Sequence, residues 1–163
     1  MKYEKTKLFW KPDDNATHVY CIPYDDNDDY YDFLRKCREK GYRQIIVTAE
    51  IMIDIIKYAC FDKNCRINKI EFIEEDDALD YEVNVILQAM AQNPAYLNEL
   101  IEKIRFLEEK SSIDLKRVYV RSQYKEGGAS FFVQANGIIG ISQGAYESMS
   151  KEISSIVERS LFQ

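Results

Sequence analysis

Arg117, Tyr119 and Arg121 recur at a spacing of two, with Tyr124 and Lys125 a few residues on. In an extended chain, a period of two brings the first three side chains to one face. Two guanidiniums flanking an aromatic ring can hold a phosphate or carboxylate, or stack a base. Arg117, Tyr119, Arg121 and Lys125 are therefore the candidate anion-binding set. The competing reading is a solvated sheet face whose arginines pair with the chain's own acids.

The acids form a second candidate set. Residues 13–34 carry seven acids and no Lys or Arg, and residues 74–82 carry six and none, whereas residues 115–125 carry four bases and no acid. Within these blocks Asp25, Asp26, Asp28 and Asp29, and Glu74, Glu75, Asp76 and Asp77, are the candidate contacts to a basic partner surface, since complementary charge steers association. Paired carboxylates also invite a divalent-metal reading. Helix capping and solubility account for them without one, and neither a metal nor another cofactor is expected.

Other residues are weaker candidates. His18 is the only histidine, and no pattern marks a Ser or Cys as its nucleophile. Asp114 and Lys116 match only the last part of a nuclease-type carboxylate-x-lysine site. Gly137, Gly140 and Gly144 precede a helix but fit neither phosphate-loop nor dinucleotide spacing; turn, bulge and helix-start chemistry explains them. Cys21, Cys37, Cys60 and Cys65 contain no Cys-x-x-Cys, and read as buried thiols in a reducing compartment. No motif in the 163 residues identifies a reaction.

The elements that position these residues follow from periodicity. Val118 and Val120 alternate with Arg117, Tyr119 and Arg121, Phe131 and Val133 with Phe132 and Gln134, and Ile139 and Ile141 follow, which predicts a β-meander over 115–142. Asn136-Gly137 predicts a type I′ hairpin turn, and Gly127-Gly128 a second break. Upstream, two strands at 3–10 and 17–22 flank the turn formers Pro12 to Asn15. A helix over 29–40 is capped by Asp28 and stopped by Gly41. The short run Arg43 to Val47, apolar from Ile45 on, predicts a central strand covered on both faces. Thr48 then caps a mostly buried helix reaching Phe61, and Arg66 to Ile73 forms a further strand. Asp77 caps the next helix, Pro94 opens its partner in a helical hairpin, and a last helix runs from about 145 to 161.

The fold expected is α+β: a mixed sheet containing an N-terminal β-β-α-β-α-β unit, a helical hairpin, an antiparallel meander and a C-terminal helix, all in one domain spanning 1–163. A chain of this length buries about 68–70% of its unfolded surface. Net charge −6 argues against general nucleic-acid or anionic-membrane binding. The N-terminus lacks the apolar segment of a signal peptide, and a cytoplasmic location is expected. Nineteen isoleucines against nine leucines suggest an AT-rich coding sequence, hence a low-GC bacterium or its phage.

The functional expectation is a non-enzymatic, acidic protein-interaction module of the immunity, antitoxin, inhibitor or adaptor type, bound to another protein with a basic surface. Twelve tyrosines suit such contact surfaces. The alternative is a small-ligand or nucleotide-handling protein, enzymatic or not, that uses the Arg117, Tyr119 and Arg121 face.

Overall fold

Period two in the strands and 3.6 in the helices together give an α+β structure, here a computed structural model that describes residues 2–122 and 129–162. Strands β1 (Tyr3–Pro12), β2 (Thr17–Pro23), β4 (Cys65–Phe72), β5 (Leu115–Ser122), β6 (Phe131–Gln134) and β7 (Ile138–Ser142) form one sheet in the order β2-β1-β7-β6-β5-β4, and the two-residue β3 (Arg43–Gln44) pairs with β1. Every pairing is antiparallel, so the mixed sheet expected from the sequence is not formed. The last strand of the N-terminal unit does not lie beside the first two. β4 adds to β5 at one edge, while β1 joins the meander through β7.

The segment expected as a central strand is the clearest departure. Arg43 and Gln44 are exposed, and the chain then crosses the end of the sheet. The Ile45 N–H donates to the Leu8 carbonyl and the Val47 N–H to that of Ala135. Ile45 and Val47 are buried, but Ile46 between them is 61% exposed. The apolar triplet Ile45 to Val47 thus serves as a segment bridging the middle of β1 and the end of β6, which periodicity cannot separate from a covered strand.

Helices α2 (Ala49–Lys57), α3 (Asp77–Gln92), α4 (Leu97–Lys110) and α5 (Tyr146–Phe162) cover one face of the sheet, and α1 (Tyr30–Glu39) covers part of the other. The two faces are fixed by neighbouring residues of β1: Trp10 meets Phe162 of α5, with ring centroids 6.3 Å apart, whereas Phe9 meets Phe33 of α1 at 6.0 Å. The main core lies under the four helices and includes Leu8, Ile53, Leu100, Ile139 and Ile153, each fully buried. Burying each such side chain contributes about 1.5–3 kcal/mol. No helix among the described residues is long and apolar enough to cross a membrane.

Local signals place the helix ends. Thr48 caps α2 by accepting from the Ile51 N–H. Gly41, at φ +91°, adopts the left-handed conformation that stops α1. The caps of α1 and α3 each lie one residue from the expected position. Asp29, not Asp28, accepts from the Asp32 N–H, and Asp76, not Asp77, accepts from Ala78 and Leu79. Pro94 opens a single 3-10 turn that runs into α4.

In the meander, Gly137 has φ +89°, while Asn136 stays at negative φ and its side chain accepts from the Ile138 N–H. A type I′ turn needs positive φ at both residues, so that expectation fails. The Gly137 N–H closes the turn on the Gln134 carbonyl instead. The Gly127-Gly128 break lies outside the described residues.

Both outer strands are interrupted. On β2 the Val19 N–H donates to a Glu158 carboxylate oxygen of α5 at 2.9 Å. On β4 the register shifts between Ile67 and Lys69, so Asn68 has no partner on β5.

Candidate functional site

The β4–β5 register assembles more positive charge than the 117–121 spacing alone shows. Arg66 stands directly opposite Arg121, Lys69 opposite Tyr119, and Glu71 opposite Arg117. Arg66 and Arg121 are exposed, and neither has an ion pair among the described residues. Like charges directly opposite one another destabilise a strand pair, so nothing in the sheet's own energetics calls for this pair. Lys69 reaches Glu71 at 3.4 Å.

Arg117 is held differently. Its guanidinium lies over the Phe132 ring, 4.7 Å from the centroid, and 5.5 Å from that of Tyr119. One of its terminal nitrogens donates to the Tyr119 hydroxyl at 2.6 Å. Its Nε is buried with no hydrogen-bond partner among the described residues. Phe132 in turn meets Tyr3 edge-on, with centroids 5.2 Å apart, so the arginine rests on an aromatic platform built from β1, β5 and β6. The expected pairing of these arginines with the chain's acids does not occur among the described residues. Arg117, Tyr119 and Arg121 share a face as their spacing predicted; Lys125 and Tyr124 lie outside the described residues.

The same sheet face holds a residue that sequence reading missed. Lys7 is fully buried. Its ammonium nitrogen donates to the Asn136 carbonyl and lies 5.8 Å and 6.0 Å from the Phe9 and Tyr30 ring centroids. Among the described residues no carboxylate pairs with it. Burial lowers its pKa to about 8, with the nearby Cys37 opposing the shift. A fully buried lysine without an acid is rare. The available signal was its place in the run Lys7-Leu8-Phe9-Trp10, where consecutive large apolar residues require cover on both faces.

The two acidic tracts are not one surface. Residues 25–29 follow β2 and residues 74–77 follow β4, the opposite edges of the sheet. Five interstrand spacings of about 4.8 Å put roughly 24 Å between those edges. Some of the acids are committed: Asp29 and Asp76 to caps, Asp26 to Lys5 at 2.8 Å, and Asp25 to the Asn27 N–H. Asp28, Glu74, Glu75 and Asp77 are exposed and have no ion pair among the described residues.

The remaining candidates are placed apart from one another. His18 lies between Glu158, 3.4 Å from its Nδ1, and Asp13, 3.9 Å from its Nε2. Asp114 is exposed, and its backbone carbonyl accepts from the Ile73 N–H. No group of three His, Cys, Asp or Glu side chains among the described residues is arranged to hold a metal. The four cysteines are unbridged. Burial pushes all four thiols up, Cys60 to about 11, which keeps them out of the thiolate form a nucleophile needs. Gly137 and Gly144 have positive φ, and a Cβ on Gly140 would strike the Phe132 ring. These are conformational and packing reasons for glycine.

No family model, curated protein or solved structure matches this chain.

Proposed function

We propose that this protein is a non-enzymatic interaction module that binds a basic surface of another protein. The observation that carries the reading is the exposed tract Glu74, Glu75 and Asp77. It has no cation of its own among the described residues, in a chain whose other acids often do: Asp32 holds Arg35 and Lys36, Glu50 holds Arg105, and Glu152 holds Lys63. Uncommitted like charges raise self-repulsion, and a partner of opposite sign turns that cost into faster association. Reversing Glu74, Glu75 and Asp77 to lysine, with the cap Asp76 left intact, should slow association with the partner retrieved from lysate by about tenfold or more at low salt. An unchanged on-rate would overturn the reading.

A second reading, an anion or nucleotide site on β4 and β5, is favoured by one specific observation, the opposed Arg66 and Arg121, neither of which has an ion pair among the described residues. An oxyanion between them would relieve their repulsion and accept from both. The test is a nucleotide panel in a thermal melt. A rise in melting temperature that disappears in the Arg66→Ala/Arg121→Ala double variant supports it, and no rise in the wild type rejects it.

A further inference from the structure

The bridging segment, the end of β4 and the α4–β5 connection enclose an apolar groove of about 310 Å³. Its lining includes Ile46, Phe72, Ile73, Leu107, Ile113 and Ala135. Ile46 and Ile73 are 61% and 60% exposed, so two large β-branched side chains stand largely in water beside a ready-made depression. Contiguous exposed apolar surface of this kind marks interaction sites.

The surroundings specify the occupant. Among the described residues, the only charged side chains in the lining are the carboxylates of Glu108 and Asp114, both exposed. Glu74, Glu75 and Asp77 follow Ile73 directly, within about 15 Å along the chain. Lys110 and Lys116 are the nearest bases in sequence, and Arg105 is already engaged by Glu50 at 3.0 Å. An apolar floor with an acidic rim matches the anatomy of an interface that anchors a few apolar side chains and pairs charges at its edge. A small-molecule pocket would instead need convergent polar groups to orient its ligand, and among the lining side chains only Thr48, Glu108 and Asp114 are polar.

We infer that this groove takes a short partner segment whose apolar side chains are flanked by lysine or arginine. The inference rests on the basic-partner reading above and locates it at one end of the sheet, with the 25–29 tract outside the contact.

The test titrates three synthetic peptides, KKLSLKK, KKSSSKK and EELSLEE, into the isotope-labelled intact chain and follows its amide signals. The expected result is that KKLSLKK moves the signals of Ile46, Ile73 and Asp114, that KKSSSKK binds about fivefold or more weakly, and that EELSLEE does not bind. Affinity for KKLSLKK should fall severalfold when ionic strength rises from about 0.05 to about 0.3 M. Ile73→Asp, a change at a largely exposed position, should weaken binding about tenfold while leaving the melting temperature within a few degrees. If KKLSLKK binds but moves only signals near Asp25 to Asp28, and Ile73→Asp has no effect, the groove assignment falls and the basic-partner reading stands. If neither basic peptide binds at low salt, both fall. If the groove signals shift with protein concentration alone, a second copy of the chain is the occupant and the assignment is overturned.

Discussion

Phe132 occupies the space that any side chain at position 140 would need: a Cβ on Gly140 would stand 2.1 Å from its ring. The two residues are cross-strand partners on β6 and β7, and the missing side chain lets the ring lie over β7 and serve as the platform for Arg117. Gly140→Ala should therefore cost about 2 kcal/mol or more, lowering Tm by roughly 4–8 °C. In a Phe132→Ala background the same change should cost far less, which a double-mutant cycle measures. Equal costs in both backgrounds would show that the ring is not the obstacle.

Lys7 makes stability depend on alkaline pH with a definite sign. Its folded pKa is lowered to about 8 from 10.5, so between these values the unfolded chain binds more protons and stability rises with pH. The contribution is present in full above 10.5 and lost as pH falls through 8. Lys7→Met lacks this term. The stability of the wild type relative to Lys7→Met should rise between pH 7 and pH 10 by roughly 2–3 kcal/mol. The raised pKa values of Cys60 and Tyr58 act in the opposite direction, but they are common to both proteins and cancel in the difference. Urea unfolding at the two pH values reads it directly, and a flat difference would place the ammonium in water.

The one-residue shift of the helix caps separates acids that hold the fold from acids left for other uses. Asp29→Ala and Asp76→Ala should each lose about 1 kcal/mol, while Asp28→Ala and Asp77→Ala should stay within about 0.5 kcal/mol of wild type. Chemical denaturation of the four variants measures this. If Asp77→Ala proves the more damaging at the start of α3, the cap assignment is reversed.

Opposed arginines on β4 and β5 should be a liability in the isolated protein. Arg121→Gln is expected to stabilise it by about 0.2–1 kcal/mol at low ionic strength, with the gain shrinking as salt is added. A salt-independent loss of stability would mean that Arg121 packs or pairs in a way its exposure does not suggest.

Much of the architecture was legible because it is written locally. The alternation through Arg117 to Arg121 fixed a strand and its two faces, Thr48 and Gly41 marked helix ends, and Asn93-Pro94 separated α3 from α4. What escaped depends on partners distant in the chain. Nothing near Arg66 indicates that β4 will pair with β5 in a register facing it to Arg121, and nothing near Lys7 shows that the Asn136 carbonyl will cover it. Ile46 lies in a run whose composition suits a buried strand, and only the crossing of the sheet end turns it outward. The acidic tracts were visible as composition, but their separation onto opposite edges is a property of strand order.

The interruptions of the outer strands, Glu158 on Val19 and the unmatched Asn68 on β4, limit how another chain can attach. Main-chain pairing along an open edge reads little of a partner's sequence and invites polymerisation. With an edge amide of β2 taken by Glu158 and β4 bent by a bulge in its pairing with β5, recognition passes to side chains. A partner of the kind proposed would then be chosen by its own sequence, and its specificity could be altered by point substitutions around the sheet without remaking the sheet itself.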